Sequence, residues 1–306
     1  MSTLSKEKGK VKRDSRKKVE EQGAGAKLWS WIKTLVGAII VVTIINGLAI
    51  ASFVVPTPSM EKTVMTGDFL FVNKFIFGPS TPQVIPFFNI PLPFFKFPAF
   101  REPQKGDVIV FIFPGNRDEV EATEFQYYLK RCVATAGDTL EIRDNHLFVN
   151  NKEYKLAKNG FYDPSVSDIP SEKFQTFPYG KNYTRDNYGP IRIPKEGDII
   201  PISMSNLHEW AVFIQREGHK ISSDGYSIYI DGNKAASYKV QRDYCFGMGD
   251  NRDHSLDSRY WGFIPKENIV GTPVIVYWSW DTNMALAKFF DKIASTRWSR
   301  IGTLIR

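Results

Sequence analysis

Ser59 stands in Pro56-Thr57-Pro58-Ser59-Met60, a hydroxyl held between a rigid proline and a methionine. A serine attacks a carbonyl only when a base takes its proton, because the free hydroxyl is a weak nucleophile at neutral pH. Lys130, in Tyr128-Leu129-Lys130-Arg131-Cys132-Val133, interrupts an apolar strand-like run. Such a lysine ordinarily faces solvent. Turned inward, it loses hydration, its pKa falls, and it becomes a proton acceptor. A third segment, residues 247–262, packs three Asp, two Arg and two Ser into the ten positions from Asp250. Calcium is one reading of it, but Arg252 and His254 occupy the third and fifth positions, where an EF-hand needs oxygen ligands. A Ser-His-Asp triad through His254 is a second reading, and an ion-paired polar loop is a third. The four histidines, His146, His208, His219 and His254, form no H-E-x-x-H or Cys/His pattern. No metal and no cofactor is expected.

The elements that must position these residues begin with an anchor. Residues 35–55 carry no charge and only Thr43, Asn46 and Ser52 as polar side chains. As a helix they would run roughly 31 Å, the thickness of a hydrocarbon core. Trp29 and Trp31 mark the interface, and Lys27, Lys33 and the cluster before them predict a cytoplasmic N-terminus. Residues 1–33 hold ten Lys or Arg against four Asp or Glu, whereas the rest holds thirty against twenty-nine. The formal charge of +7 is therefore a short basic arm, 1–34, and not a nucleic-acid-binding field. Ala49-Ile50-Ala51 offers a small-x-small triplet of the kind at which leaders are cleaved, but the apolar stretch is longer than the core of a cleaved leader.

Past the anchor, short β-branched and aromatic runs dominate, several opened by Gly-Asp pairs at 67–68, 106–107, 137–138 and 197–198. Tyr229-Ile230-Asp231-Gly232-Asn233 reads as a hairpin tip. The pattern predicts a mainly β protein: an antiparallel β core over 56–142 and 245–306, with a more polar β lobe, 143–244, inserted into it. The Phe- and Pro-rich stretch 77–100 is too proline-rich for a central strand. It reads as an extended loop that either associates with a bilayer surface or packs under the core. The tail 285–306 reads as a solvated terminus. Cys132 and Cys245 read as buried free thiols, with one disulfide between them as the other possibility.

Together the three segments resemble the bacterial type I signal peptidases, membrane-bound Ser/Lys endopeptidases that remove signal peptides. The stretch GDNRDHSLDSRYWGFIP, residues 249–265, is similar to that family's last motif nearly letter for letter. The resemblance implies Ser59 as nucleophile, Lys130 as general base and Thr57 in the oxyanion hole. It also implies Ser255 as a hydrogen-bond partner of Lys130, supported by Asp257 and Arg259. It further implies that Met60, Val64, Tyr128 and Leu129 line the pocket before the scissile bond, with Phe53 and Val55 walling a second. Two departures, Glu61-Lys62-Thr63-Val64 without the family's proline and Ala134-Thr135-Ala136 before Gly137-Asp138, touch pocket walls and turns and leave the dyad intact. The expected partners are preproteins bearing signal peptides, cut after small-x-small sites such as Ala-x-Ala, and the lipid bilayer. The expected location is the bacterial plasma membrane, with the catalytic domain on the periplasmic side. The rival readings are a related self-cleaving Ser/Lys peptidase and an inactive membrane-tethered binding protein.

Overall fold

The computed structural model describes residues 24–79, 81, 84–85, 90–91, 95–163, 166 and 176–306. Most of the basic arm lies outside them. So does much of the Phe/Pro loop, and with it most of the expectation that 77–100 meets a bilayer; of its described side chains, Phe95, Phe97 and Phe100 are exposed.

The chain enters through helix α1 (Ala24–Leu48), 25 residues long and roughly 37 Å from end to end. Among the described residues it is the one helix long and apolar enough to cross a membrane. The apolar run 35–55 predicted a helix to Val55. The helix instead starts earlier, taking in Lys27 and Lys33, and stops at Leu48, while Ile50–Val54 turns into a strand. Gly47 is a poor helix residue, and Ile50, Phe53 and Val54 suit a sheet as well as a bilayer, so hydrophobicity alone could not divide the run.

The central sheet has seven strands, numbered here in chain order. They are β1 (Ile50–Val54), β2 (Asp68–Asn73), β3 (Val108–Ile112), β4 (Tyr127–Thr135), β5 (Tyr244–Met248), β6 (Ile264–Pro265) and β7 (Ile269–Ser279). Their spatial order is β1-β2-β7-β3-β4-β5-β6, and every neighbouring pair is antiparallel. The four Gly-Asp pairs are four copies of one turn. Asp68, Asp107, Asp138 and Asp198 each accept a hydrogen bond from the backbone N–H three residues earlier. At Gly67 the φ of +86° and the nearness of Trp280 O, 2.1 Å from where a Cβ would stand, admit no side chain.

The inserted lobe starts earlier than its polar composition suggests. Thr139–Arg143 already leaves the central sheet and pairs with Tyr188–Arg192 and His146–Val149 in a separate four-stranded sheet. An apolar run announces a strand but not the sheet it joins. Two smaller sheets and helix α2 (Leu207–Arg216) complete the lobe. Its apolar side chains, among them Leu140, Ile193, Phe213 and Ile214, pack in one cluster with Phe246 of β5, so lobe and core share a hydrophobic interior.

The tail is not simply solvated. After a short helix (Phe289–Ala294), Arg300 Nη2 reaches Asp68 Oδ2 at 2.5 Å, and Leu304 bridges Ile275 of β7. Cys132 and Cys245 are both buried free thiols.

Candidate active site

Ser59 lies in a single 3₁₀ turn, Pro58–Met60, between β1 and β2. Proline at its first position is suited to that turn, since it lacks the N–H that would go unpaired there. The turn closes through Glu61 N–H on Pro58 O, and Thr63 and Val64 N–H on Met60 O. Beneath it Val55, Met60, Val64, Leu70, Val72, Val108, Val110 and Val276 form a dry cluster. From above, Asn251 N–H donates to Ser59 O at 3.1 Å. Gly249 passes so close that a Cβ there would stand 2.5 Å from Ser59 O.

Lys130 is in the middle of β4, opposite Ile109 of β3. It is only 4% exposed and its Nζ is 2.7 Å from Ser59 Oγ, with Ser59 itself 7% exposed. Nζ donates to Oγ while it is protonated and accepts the Oγ proton once it is neutral. Burial pulls the Lys130 pKa down to about 8; Asp257 and Asp250 pull the other way, and Arg259 offsets part of their effect. The Tyr128 and Trp261 rings stand 5.8 and 6.0 Å from Nζ, so the ammonium meets aromatic faces where water would otherwise be.

Two buried ion pairs frame this contact. Asp257 (0% exposed) accepts from Arg259 Nε at 2.9 Å and Nη2 at 2.8 Å, from Arg259 N–H and from Gly249 N–H. Burial alone would raise the Asp257 pKa, but Arg259 and these donors hold it below the usual carboxylate value. Arg131, the neighbour of Lys130, points to the opposite face of β4 and grips Asp250 through two bonds, at 2.7 and 2.6 Å. Thr63 Oγ1 donates to the same carboxylate at 2.5 Å, and Asp250 N–H meets Met60 Sδ at 3.3 Å. The Arg131–Asp250–Thr63 chain thus joins the lysine strand to the serine turn. Sequence reading had missed all three as site residues; Arg131 beside Lys130 was the signal available.

The remaining predicted residues divide. Thr57 is extended, with Oγ1 3.4 Å from Ser59 Oγ. Ser255 is buried beside Gly249, but its Oγ has no hydrogen-bond partner among the described residues, and the expected bond to Lys130 is not formed. Phe53, Val55, Met60, Tyr128 and Leu129 line a cleft of about 840 Å³ together with Ser59 and Lys130. Val64 does not line it. That side chain is fully buried behind Met60, because the turn after Ser59 folds it into the core. Leu70, Val110 and Gln126 also line the cleft and were not anticipated. His254 stands at the rim, 3.4 Å from Asp163 and without a hydrogen bond to Ser59. Among the described residues no group of three His, Cys, Asp or Glu side chains could hold a metal.

Residues 28–278 match the family model described as signal peptidase, peptidase S26. The chain is 30% identical over 243 residues to signal peptidase I of Aquifex aeolicus, covering 79% of this chain and 80% of that one. It is 30% identical over 275 residues to the Rickettsia typhi protein of the same name, covering 86% and 88%. It is 28% identical over 257 residues to that of Helicobacter pylori strain 26695, covering 82% and 83%. A match over most of its length, with relatives at 30% identity covered to about four-fifths, means that the chain belongs to the signal peptidase family of enzymes, peptidase S26.

Proposed function

We propose that Ser59 and Lys130 form a catalytic dyad that removes N-terminal signal peptides from exported preproteins. The observation that carries this reading is the 2.7 Å contact between Lys130 Nζ and Ser59 Oγ in an apolar cleft. Neutral Lys130 takes the Oγ proton as Ser59 attacks the scissile carbonyl. The tetrahedral oxyanion collapses, and the new amino terminus leaves with the proton from Lys130, giving an acyl-enzyme. Water then attacks the acyl carbon, Lys130 again serving as base, and Ser59 is freed. Ser59 N–H and Thr57 Oγ1 stabilise the oxyanion; a donor of this kind is worth about 3–4 kcal/mol. With its pKa near 8, roughly one Lys130 in ten is neutral at pH 7, against fewer than about one in a thousand for an ordinary lysine.

Phe53, Val55, Met60 and Leu129, backed by Leu70 and Val110, give the cleft beside Ser59 bulky apolar walls and support a preference for small side chains before the bond. Ala-x-Ala sites are therefore cut, and bulky residues immediately before the bond are refused. Helix α1 anchors the enzyme in the bacterial plasma membrane, and its basic arm keeps the N-terminus cytoplasmic with the β core on the periplasmic side. The preprotein's own apolar segment lies in the same bilayer and delivers its cleavage site to Ser59.

A preprotein with an Ala-x-Ala site, incubated with the full chain in detergent micelles, tests this. The wild type should cut once, after the second Ala, and Ser59→Ala and Lys130→Ala should not cut. Cleavage by Ser59→Ala would overturn the proposal. Protease added to spheroplasts should digest the β core and spare an N-terminal tag, whereas protection of the core would refute the orientation.

A further inference from the structure

One side chain ties the inserted lobe to the cleft. Arg216, the last residue of α2, extends its guanidinium to four backbone carbonyls of the catalytic core. Nε and Nη2 donate to Glu119 O at 3.0 and 2.8 Å, and Nη2 donates to Gly115 O at 3.0 Å and Asn116 O at 2.5 Å. Nη1 donates to Trp261 O at 3.2 Å. A planar fork fixes several acceptors at once, and main-chain acceptors mean that the path of the backbone is what it fixes. Gly115, at φ +104°, lets the chain turn there, and a Cβ would stand 3.4 Å from Arg216 Nη2 and 3.2 Å from Ala122 N. A second tether lies alongside: Arg117 Nη1 donates to Thr176 O at 3.3 Å, and its guanidinium stacks 4.8 Å from the Tyr179 ring.

The segment held in this way is the connection from β3 to β4, and it walls a groove. Phe113, Tyr128 and Trp261 line it on one side, and Asn116, Arg117, Asp118 and Glu119 of the connection on the other. Phe113 and Tyr128 stack at 4.4 Å, and Trp261 meets both edge-on at 5.3 and 5.4 Å, giving the groove an aromatic floor. Tyr128 also lines the cleft of Ser59, so the groove continues that cleft.

We propose that Arg216 is a positioning residue through which the inserted lobe shapes a subsite for the apolar stretch of substrate upstream of the cleavage site. The proposal rests on the dyad reading, in which the residues before the scissile bond run along β4 from Lys130 back toward Tyr127. At about 3.3 Å per residue, that stretch of β4 accommodates three substrate residues. The connection ahead of Tyr127 then meets the fourth to the sixth residues before the bond.

Two peptides test it, identical from the third residue before the bond onward. One is capped there, and the other continues through five further apolar residues. Steady-state kinetics are measured on the full chain in micelles for wild type, Arg216→Met and Arg216→Lys. On the long peptide Arg216→Met should raise KM and lower kcat/KM about tenfold, the scale of losing charged hydrogen bonds, with Arg216→Lys in between. On the short peptide all three should agree within about twofold. Gly115→Ala, which shifts the wall and leaves the lobe intact, should reproduce the long-peptide loss and carries the test if Arg216→Met does not fold. Equal losses on both peptides, or no loss on the long one, would overturn the proposal. Failure of the dyad reading looks different: Ser59→Ala would then cut the short peptide as fast as wild type.

Discussion

Replacing Lys130 by Met should abolish cleavage and make the protein more stable at neutral pH. The site faces Ser59 from the turn, Tyr128 from β4, Arg131 and Asp250 behind it, and Trp261, Asp257 and Arg259 from the segment after β5. In the folded chain the lysine titrates near 8, and unfolded it returns to 10.5. Between those values the unfolded chain binds more protons, so stability attributable to this group rises with pH through that window. Below about pH 8 both states are protonated and burying the ammonium costs about 3 kcal/mol. Methionine fills similar volume without that cost but loses the 2.7 Å bond to Ser59, worth about 1 kcal/mol. The net gain at pH 6–7 should be about 2 kcal/mol, or roughly 4–8 °C in Tm for a protein of this size. Thermal unfolding of wild type and Lys130→Met in the same micelles, from pH 6 to pH 10.5, measures it. Other titrating groups cancel in the difference. The gain should shrink above about pH 8 and vanish near the top of the range. A difference that is flat with pH, or a variant less stable at pH 6 than the wild type, would refute a lysine buried against its charge.

Ser255→Ala removes a buried hydroxyl that has no partner among the described residues, so Tm should hold or rise; kcat/KM should fall if that hydroxyl meets Lys130 only with substrate bound, and unchanged kinetics would remove Ser255 from the site. Arg300→Met strips the 2.5 Å partner from fully buried Asp68, and should destabilise the protein by about 2–3 kcal/mol. A double-mutant cycle with Asp68→Asn, followed by thermal unfolding, should show strong coupling, and additivity would contradict the pair. Leu70→Ala enlarges the cleft floor behind Met60. A peptide with Val before the bond should gain in kcat/KM relative to one with Ala, whereas an unchanged ratio would dissociate Leu70 from specificity.

What the sequence made legible was local. The Gly-Asp turns could be read because each Asp bonds a backbone N–H three positions away, and the Asp257–Arg259 pair because its partners are two residues apart. The hairpin tip at Asp231-Gly232 could be read for the same reason, and both residues take positive φ there. What it hid was long-range. Whether Lys130 or Arg131 faces the serine depends on strand register, and a shift of one residue exchanges them. Arg131–Asp250 and Arg300–Asp68 join positions 119 and 232 residues apart, which no pattern of spacing announces. The apolar run 35–55 concealed a change from helix to strand because both environments select the same side chains. Val64 reads like a pocket residue, yet the turn after Ser59 folds it into the core.

The central claim is that Lys130, its pKa lowered by burial, is the base for Ser59. The pH dependence of kcat/KM on a short Ala-x-Ala peptide tests it most directly, because that limb reports the free enzyme's essential base. Activity should rise with pH along a single limb centred near 8, and Lys130→Ala should lack the limb along with the activity. A limb at the ordinary lysine value of 10.5, or one near 6–7 that survives in Lys130→Ala and disappears with His254→Ala, would contradict the account.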